Sequence, residues 1–201
     1  MEKNINVFGS SIAWGACDKK LGGWVNRLRI YLANEVEHYS ETYNLGVSGD
    51  NSDGLLKRFS VENEARKPDI IMIAIGINDS HYINSKDNPC VPLERYEKNL
   101  KELIRQGKEF TKDIIFVGLT KIDETKLMPI PWDKSKYYDE ENVAIYNAKM
   151  KEVAEKHNSP FIPMLDLLRN DELIDGLHPN TKGHEKMFQR VKDFLIANKI
   201  I

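Results

Sequence analysis

The sequence has few cysteines, no long apolar run and no excess of charge of either sign. Its only cysteines are Cys17 and Cys90, and their spacing matches no metal-binding or redox motif. No apolar stretch approaches the ~18 residues of a membrane span. The 29 Lys and Arg residues nearly balance the 31 Asp and Glu residues, so no basic field favours nucleic acid. We therefore expect no metal site, no nucleic-acid partner and no membrane span.

Signals for export and for nucleotide binding are missing as well. The residues after Met1 lead directly into a strand-like segment and lack the apolar core of a signal peptide, which predicts a cytoplasmic protein. There is no Gly-Lys-Ser/Thr phosphate-binding loop, and the loop from Gly9 to Gly15 misses the Gly-x-Gly-x-x-Gly spacing of dinucleotide sites. The composition, 41% hydrophobic and 30% charged, is ordinary for a globular protein. We expect one domain over residues 1–201.

Short apolar runs alternate with longer amphipathic ones, which is the pattern of a parallel α/β sheet. Strands are predicted at residues 5–8, 38–45, 69–75, 113–119 and 160–164. Helices are predicted at residues 24–37, 52–66, 93–110, 140–157 and 182–197. Two segments, 80–92 and 120–139, are predicted to be loops, and a loop as long as the second is usually functional or disordered.

Polar or glycine-containing loops follow four of the predicted strands. Ser11, Gly49 and Asn78 follow the first three strands, and the turn from Asp175 to His178 comes after the fifth. Ligands of an open parallel sheet bind beyond the carboxyl ends of its strands. We therefore expect these residues to meet at one edge of the sheet.

The residue types suggest acyl-transfer chemistry. Asp175 stands three residues before His178, so its carboxylate can fold back onto one ring nitrogen and leave the other free to accept a proton. Ser11 offers a hydroxyl that a neutral histidine can deprotonate. The N–H of Gly49 and the amide of Asn78 are candidate donors to an oxyanion. Each residue also has a simpler interpretation, as a helix cap, a loop hydrogen bond or a turn glycine.

Four blocks together resemble the SGNH (GDSL-type) hydrolase family. They are Gly9-Ser10-Ser11-Ile12, the segment 44–52, Gly76-Ile77-Asn78-Asp79 and Asp175-Gly176-Leu177-His178-Pro179. They occur in the family's order and span most of the chain. The resemblance implies a three-layer α/β/α, flavodoxin-like fold with five parallel strands in the order 2-1-3-4-5. One position departs from the pattern, since Ser10 stands where the family has an Asp that supports the nucleophile loop.

The resemblance also implies a function. It is the cleavage of carboxylic esters or thioesters, or of O-acetyl groups on small molecules or sugars, through an acyl-enzyme and without a metal or other cofactor. Ser11 would be the nucleophile, His178 the general acid/base and Asp175 its partner. The oxyanion hole would consist of the N–H groups of Ser11 and Gly49 and the side-chain amide of Asn78.

The variable loops are expected to select the substrate. Their candidate pocket residues, which could equally pack the loops onto the domain, are Tyr82, Ile83, Met128, Ile130, Trp132 and Tyr137. An acyltransferase with the same acyl-enzyme is one alternative function. A non-catalytic small-ligand binder on the same fold is another, although it gives no reason for Asp175 and His178.

Overall fold

A computed structural model describes residues 3–36 and 41–201, and its centre is a five-stranded parallel sheet. The strands of the chain are β1 (Asn4–Gly9), β2 (Glu41–Gly46), β3 (Ile70–Ala74), β4 (Tyr82–Ile83), β5 (Asp113–Val117), β6 (Lys136–Tyr137) and β7 (Phe161–Ile162). The sheet has the order β2-β1-β3-β5-β7, while β4 and β6 form a separate antiparallel ribbon. Numbered among themselves, the five sheet strands have the predicted order 2-1-3-4-5. The predicted fold is confirmed.

Six α-helices accompany the strands in the described part of the chain. They are α1 (Ser11–Trp14), α2 (Gly23–Glu35), α3 (Ser52–Arg66), α4 (Leu93–Gly107), α5 (Glu140–Lys156) and α6 (Thr181–Ala197). Helix α2 packs against α6, whereas α3, α4 and α5 pack in series. Between these layers the side chains of β3 from Ile70 to Ile73 are buried, as expected for a strand covered on both faces.

Side-chain caps explain where several helices begin. Asn51 accepts a hydrogen bond from the N–H of Gly54 at the start of α3, at 3.0 Å. Asn180 does the same for the N–H of Gly183 at the start of α6, at 2.9 Å. Such caps satisfy N–H groups that have no partner inside the helix. The caps therefore fix the first turns of α3 and α6, which follow the loops at the carboxyl edge of the sheet.

Helix α1 was not predicted, and it shapes the first loop. At four residues it is too short to show helical periodicity in the sequence. It lies against the end of β2, where a Cβ on Gly46 would come within 2.3 Å of the backbone nitrogen of Trp14. Glycine at position 46 is therefore required for this close approach. The predicted second strand began at His38, but residues 37–40 lie outside the described residues, and β2 is described from Glu41.

The prediction of an irregular loop at residues 120–139 was wrong in part. The segment contains a 3₁₀ turn, Glu124–Lys126, and strand β6, which pairs with β4 so that Tyr137 lies opposite Tyr82. A two-residue strand leaves no alternation that the sequence could reveal. Within residues 3–36 and 41–201, no helix has the length and apolar character needed to cross a membrane. The single domain over residues 1–201 stays a prediction.

Candidate active site

Ser11, His178 and Asp175 form a hydrogen-bonded chain. Nδ1 of His178 lies 2.7 Å from Oδ2 of Asp175, and Nε2 lies 2.9 Å from the hydroxyl oxygen of Ser11. An ionised carboxylate can only accept, so Nδ1 carries the ring proton and Nε2 has a free lone pair. The Ser11 hydroxyl therefore donates to Nε2. This tautomer allows the imidazole to take a proton from the serine.

The turn that carries the histidine also fixes the carboxylate. The backbone N–H groups of Leu177 and His178 donate to Oδ1 of Asp175 at 2.9 and 2.8 Å. Burial acts to raise the pKa of Asp175, but the hydrogen bonds from the ring and backbone of His178 and from Leu177 outweigh it and lower the pKa to about 2. Asp175 is therefore ionised at neutral pH and holds the ring in the orientation described above.

The loop after Ser11 is joined to α6 by two hydrogen bonds, one to His184 and one to Thr181, and to α2 by further bonds of Asp18. His184, the fourth residue of α6, lies with Nε2 2.9 Å from the carbonyl oxygen of Ala16. Asp18 accepts from the hydroxyl of Thr181 at 2.9 Å, from the N–H of Gly23 at 2.9 Å and from Arg27. Because α6 begins directly after the His178 turn, these bonds hold the serine and histidine loops together.

Asn78 has a single orientation fixed by two partners. Its Nδ2 donates to the backbone carbonyl of Asp50 at 2.8 Å, and its Oδ1 accepts from the Tyr138 hydroxyl at 2.8 Å. A carbonyl can only accept, so the NH₂ group must face Asp50. The second hydrogen of Nδ2 is then available to the pocket that Asn78 lines.

Gly49 lines the same pocket, on the loop between β2 and α3. Its φ is +80°, in the left-handed region, and an added Cβ would meet no atom within 4 Å. Backbone conformation rather than crowding therefore favours glycine at this position. The following helix is held by Asp79, which accepts from the backbone N–H and the hydroxyl of Ser52. The loop with Gly49 is thus joined to the loop with Asn78.

The candidate site opens into a pocket of about 270 Å³. Besides Ser11, His178 and the two candidate oxyanion donors, its walls are Ala16, Ser48, His81, Ile130, Trp132, Lys136, Tyr138 and Leu177. The Trp132 side chain is 54% exposed, and its ring centroid lies 6.1 Å from that of His178. Trp132 and the buried Ile130 are thus the two predicted substrate residues that line this pocket.

The remaining predicted substrate residues lie elsewhere. Tyr82, Ile83 and Tyr137 belong to the β4–β6 ribbon and do not line the pocket, and neither does Met128, a loop residue that is 41% exposed. Successive side chains of a strand point to opposite sides. Lys136 on β6 and Tyr138 directly after β6 line the pocket, whereas Tyr137 between them does not. The lining of this pocket therefore does not support a substrate role for these four residues, and that role stays a prediction.

His81 is a pocket residue that sequence reasoning treated as uninformative. It is 95% buried, its ring packs 5.1 Å from that of Tyr138, and neither ring nitrogen has a well-formed hydrogen bond among the described residues. Burial lowers the pKa of His81 to about 4, and the charge of Lys136 acts in the same direction. His81 is therefore neutral near pH 7. Its position three residues after Asn78 was the signal in the sequence that could have identified it.

Ser10, the position that departs from the family pattern, borders a second cavity of about 20 Å³. Trp24 and Thr120 also line this cavity. Both are buried, and neither the indole N–H nor the Thr120 hydroxyl has a partner among the described residues. The cavity is therefore small but polar on one side.

Comparison with known proteins places the chain in a family. Residues 7–186 match the sequence profile of the GDSL-like Lipase/Acylhydrolase family. The match covers most of the chain, so the chain belongs to this family. The resemblance inferred from the four sequence blocks is confirmed.

The individual relatives have low sequence identity to this chain. An acetylxylan esterase of Geobacillus stearothermophilus is 28% identical to this chain over 152 residues. The match covers 70% of this chain and 65% of the relative, so the chain spans less than two thirds of the relative's length. An isoamyl acetate-hydrolyzing esterase 1 homolog of Homo sapiens is 25% identical over 201 residues, covering 92% of this chain and 78% of the relative. The solved structure of a catalytic mutant of a Geobacillus stearothermophilus acetylxylan esterase matches with a TM-score of 0.76 at 25% identity, covering 96% of this chain and 93% of the other.

Proposed function

We propose that the chain is a metal-independent serine esterase that removes short acyl groups, above all acetyl, from small alcohols or sugars. The observation that carries the proposal is the chain of hydrogen bonds from Asp175 through His178 to Ser11, at 2.7 and 2.9 Å. Helix caps and loop serines have no need of this arrangement, whereas a general base and its nucleophile do.

In the proposed mechanism His178 takes the proton of Ser11 while the serine oxygen attacks the ester carbonyl. The developing oxyanion is held by the N–H groups of Ser11 and Gly49 and by the free amide hydrogen of Asn78. His178 then protonates the departing alcohol, and an acyl-serine remains. Water repeats the attack with His178 again as base, which releases the acid and restores the serine.

The preference for short acyl groups rests on two observations. At about 270 Å³ the pocket is smaller than most sites for drug-sized ligands, and polar groups such as Lys136 interrupt its apolar wall. Both curated relatives are named for acetate esters. The half-exposed face of Trp132, beside the catalytic ring, suits the apolar face of a small alcohol or sugar as the leaving group.

Labelling with a fluorophosphonate probe tests the nucleophile directly. We expect one modification that maps to Ser11 and is lost in Ser11→Ala. The Ser11→Ala and His178→Ala variants should lose several orders of magnitude in turnover of a short aryl ester. Asn78→Ala should lose roughly 10²–10³. Full activity in Ser11→Ala would refute the mechanism, and ester products formed with an added alcohol would identify an acyltransferase instead.

A further inference from the structure

A thiol stands beside the catalytic pair. Cys17 follows the nucleophile loop in a left-handed conformation, with φ +68°. Its sulfur, a carboxylate oxygen of Asp175 and a ring nitrogen of His178 all lie within 4.8 Å of one another. All three residues are partly exposed, so the cluster is accessible from solvent. Cys17 is not engaged in a disulfide.

We propose that Cys17, Asp175 and His178 form an inhibitory binding site for a soft divalent cation, with Zn²⁺ as the fitting ion. Thiolate, imidazole and carboxylate are the ligands that zinc takes in proteins, and three of them with an open fourth position form a recurrent site. This proposal goes beyond the esterase function, because the ion replaces the catalytic arrangement instead of supporting it.

The geometry requires only small shifts of the ligand atoms. Zinc bonds of ~2.3 Å to sulfur and ~2.0–2.2 Å to nitrogen and oxygen place tetrahedral ligand atoms roughly 3.3–3.8 Å apart. The three ligand atoms lie within 4.8 Å of one another, so the wider separations need to close by about 1–1.5 Å. If His178 binds through Nδ1, that atom and Oδ2 of Asp175, now 2.7 Å apart, need to move apart by about 0.6–1.1 Å. Side-chain rotations of Cys17, Asp175 and His178 are the movements that this adjustment requires.

Binding of the metal ion would occupy His178 and Asp175, which the proposed catalysis needs. The Cys17 thiol gives its proton to solvent as the sulfur–metal bond forms. If His178 binds through Nε2, the lone pair that accepts the Ser11 proton is lost. If it binds through Nδ1, the proton shifts to Nε2 and the hydrogen bond to Asp175 breaks. In both cases the imidazole can no longer act as a base for Ser11.

The first test is inhibition by Zn²⁺ alone, at buffered free-metal concentrations, with hydrolysis of a short aryl ester as the readout. We expect inhibition that a chelator reverses. Cys17→Ser should raise the half-inhibiting concentration by about tenfold or more, since removal of a ligand weakens a metal site at least as much as removal of its supporting groups. The matched control is Cys90→Ser, which should retain the sensitivity of the parent. Equal inhibition of parent and Cys17→Ser would overturn the proposal.

The second test does not depend on activity. Cd²⁺ is titrated into the Ser11→Ala variant, which retains all three ligands, and the ultraviolet absorption of a cadmium–thiolate bond is followed. We expect one equivalent to bind, and the signal to disappear when Cys17→Ser is added but to persist with Cys90→Ser. A signal that follows Cys90, or no signal in Ser11→Ala, would refute the site. Because no turnover is involved, failure of the proposed esterase function would not affect this result.

Discussion

Tyr138 has no part in the proposed chemistry, yet its hydroxyl orients the amide of Asn78, the proposed oxyanion-hole donor. Its hydroxyl donates to Oδ1 of Asn78 at 2.8 Å, and burial raises the pKa of Tyr138, so the hydroxyl keeps its proton. The aromatic ring is 97% buried and packs against His81. Replacing Tyr138 by Phe removes the hydrogen bond and leaves the packing almost unchanged.

The expected loss of activity in Tyr138→Phe follows from the two hydrogen-bond partners of the Asn78 amide. Without Tyr138, Oδ1 of Asn78 becomes a buried acceptor with no donor, which costs about 1–3 kcal/mol and loosens the amide. The hydrogen bond from Nδ2 of Asn78 to the Asp50 carbonyl at 2.8 Å still opposes a flip of the amide. A flipped amide would place Oδ1 of Asn78 opposite the carbonyl oxygen of Asp50. We therefore expect Tyr138→Phe to lose about 1–2 kcal/mol of transition-state stabilisation, or roughly 5- to 30-fold in kcat. The full loss of the donor in Asn78→Ala, roughly 10²–10³, is the upper limit.

Steady-state hydrolysis of a short aryl ester measures this effect. The loss should fall on kcat with KM almost unchanged, because the amide contacts charge that develops only in the transition state. Tyr137→Phe, one position away on the other side of the ribbon, is the matched control and should retain activity. In an Asn78→Ala background, Tyr138→Phe should add no further loss, because its effect passes through Asn78. A kcat within twofold of the parent, or a further loss in that background, would refute the reasoning.

Three further predictions concern the same site. Asp175→Asn removes the carboxylate that fixes the ring tautomer, so kcat should fall by about 10³–10⁴ and fluorophosphonate labelling of Ser11 should slow in parallel. His81 has a pKa near 4 in the fold against 6.5 ordinarily, so the unfolded chain binds the extra proton between these values. Stability should therefore fall as the pH drops through this window, by up to about 3 kcal/mol, and urea titrations of His81→Phe should lack this loss. Trp132→Ala should raise KM for aryl and sugar acetates more than it lowers kcat, and an unchanged KM would remove Trp132 from the proposed substrate site.

The central sheet could be predicted because each of its features leaves a pattern in the sequence. The run from Ile70 to Ile75 is continuously apolar since its strand is covered on both faces. Strand ends of a parallel sheet share one edge, so the polar residues after them could be expected to meet. The structure indeed brings Ser11, Asp175 and His178 into hydrogen-bond contact, and Gly49 and Asn78 line the adjoining pocket.

The walls of the pocket could not be predicted in the same way. They depend on a ribbon of two-residue strands, in which the side that each residue faces is set by pairing with a distant segment. Sequence reasoning therefore selected Tyr137, whereas the residue that reaches Asn78 is its neighbour Tyr138. Hydrogen bonds between loops far apart in the sequence, such as Asp18 to Thr181, are likewise invisible without the fold.

Ser10 stands next to the proposed nucleophile, Ser11, at the position where the family pattern has an aspartate. Two buried donors, the Trp24 indole and the Thr120 hydroxyl, border the small cavity beside Ser10 without a partner among the described residues. Backbone and side-chain hydrogen bonds hold the loop after Ser11. The Ala16 N–H donates to the Ser11 carbonyl at 2.9 Å, and Nε2 of His184 lies 2.9 Å from the Ala16 carbonyl oxygen. His184 belongs to α6, and His178 lies in the turn just before that helix. The hydrogen bonds that hold the Ser11 loop through Ala16 therefore also help to set the distance between Ser11 and His178.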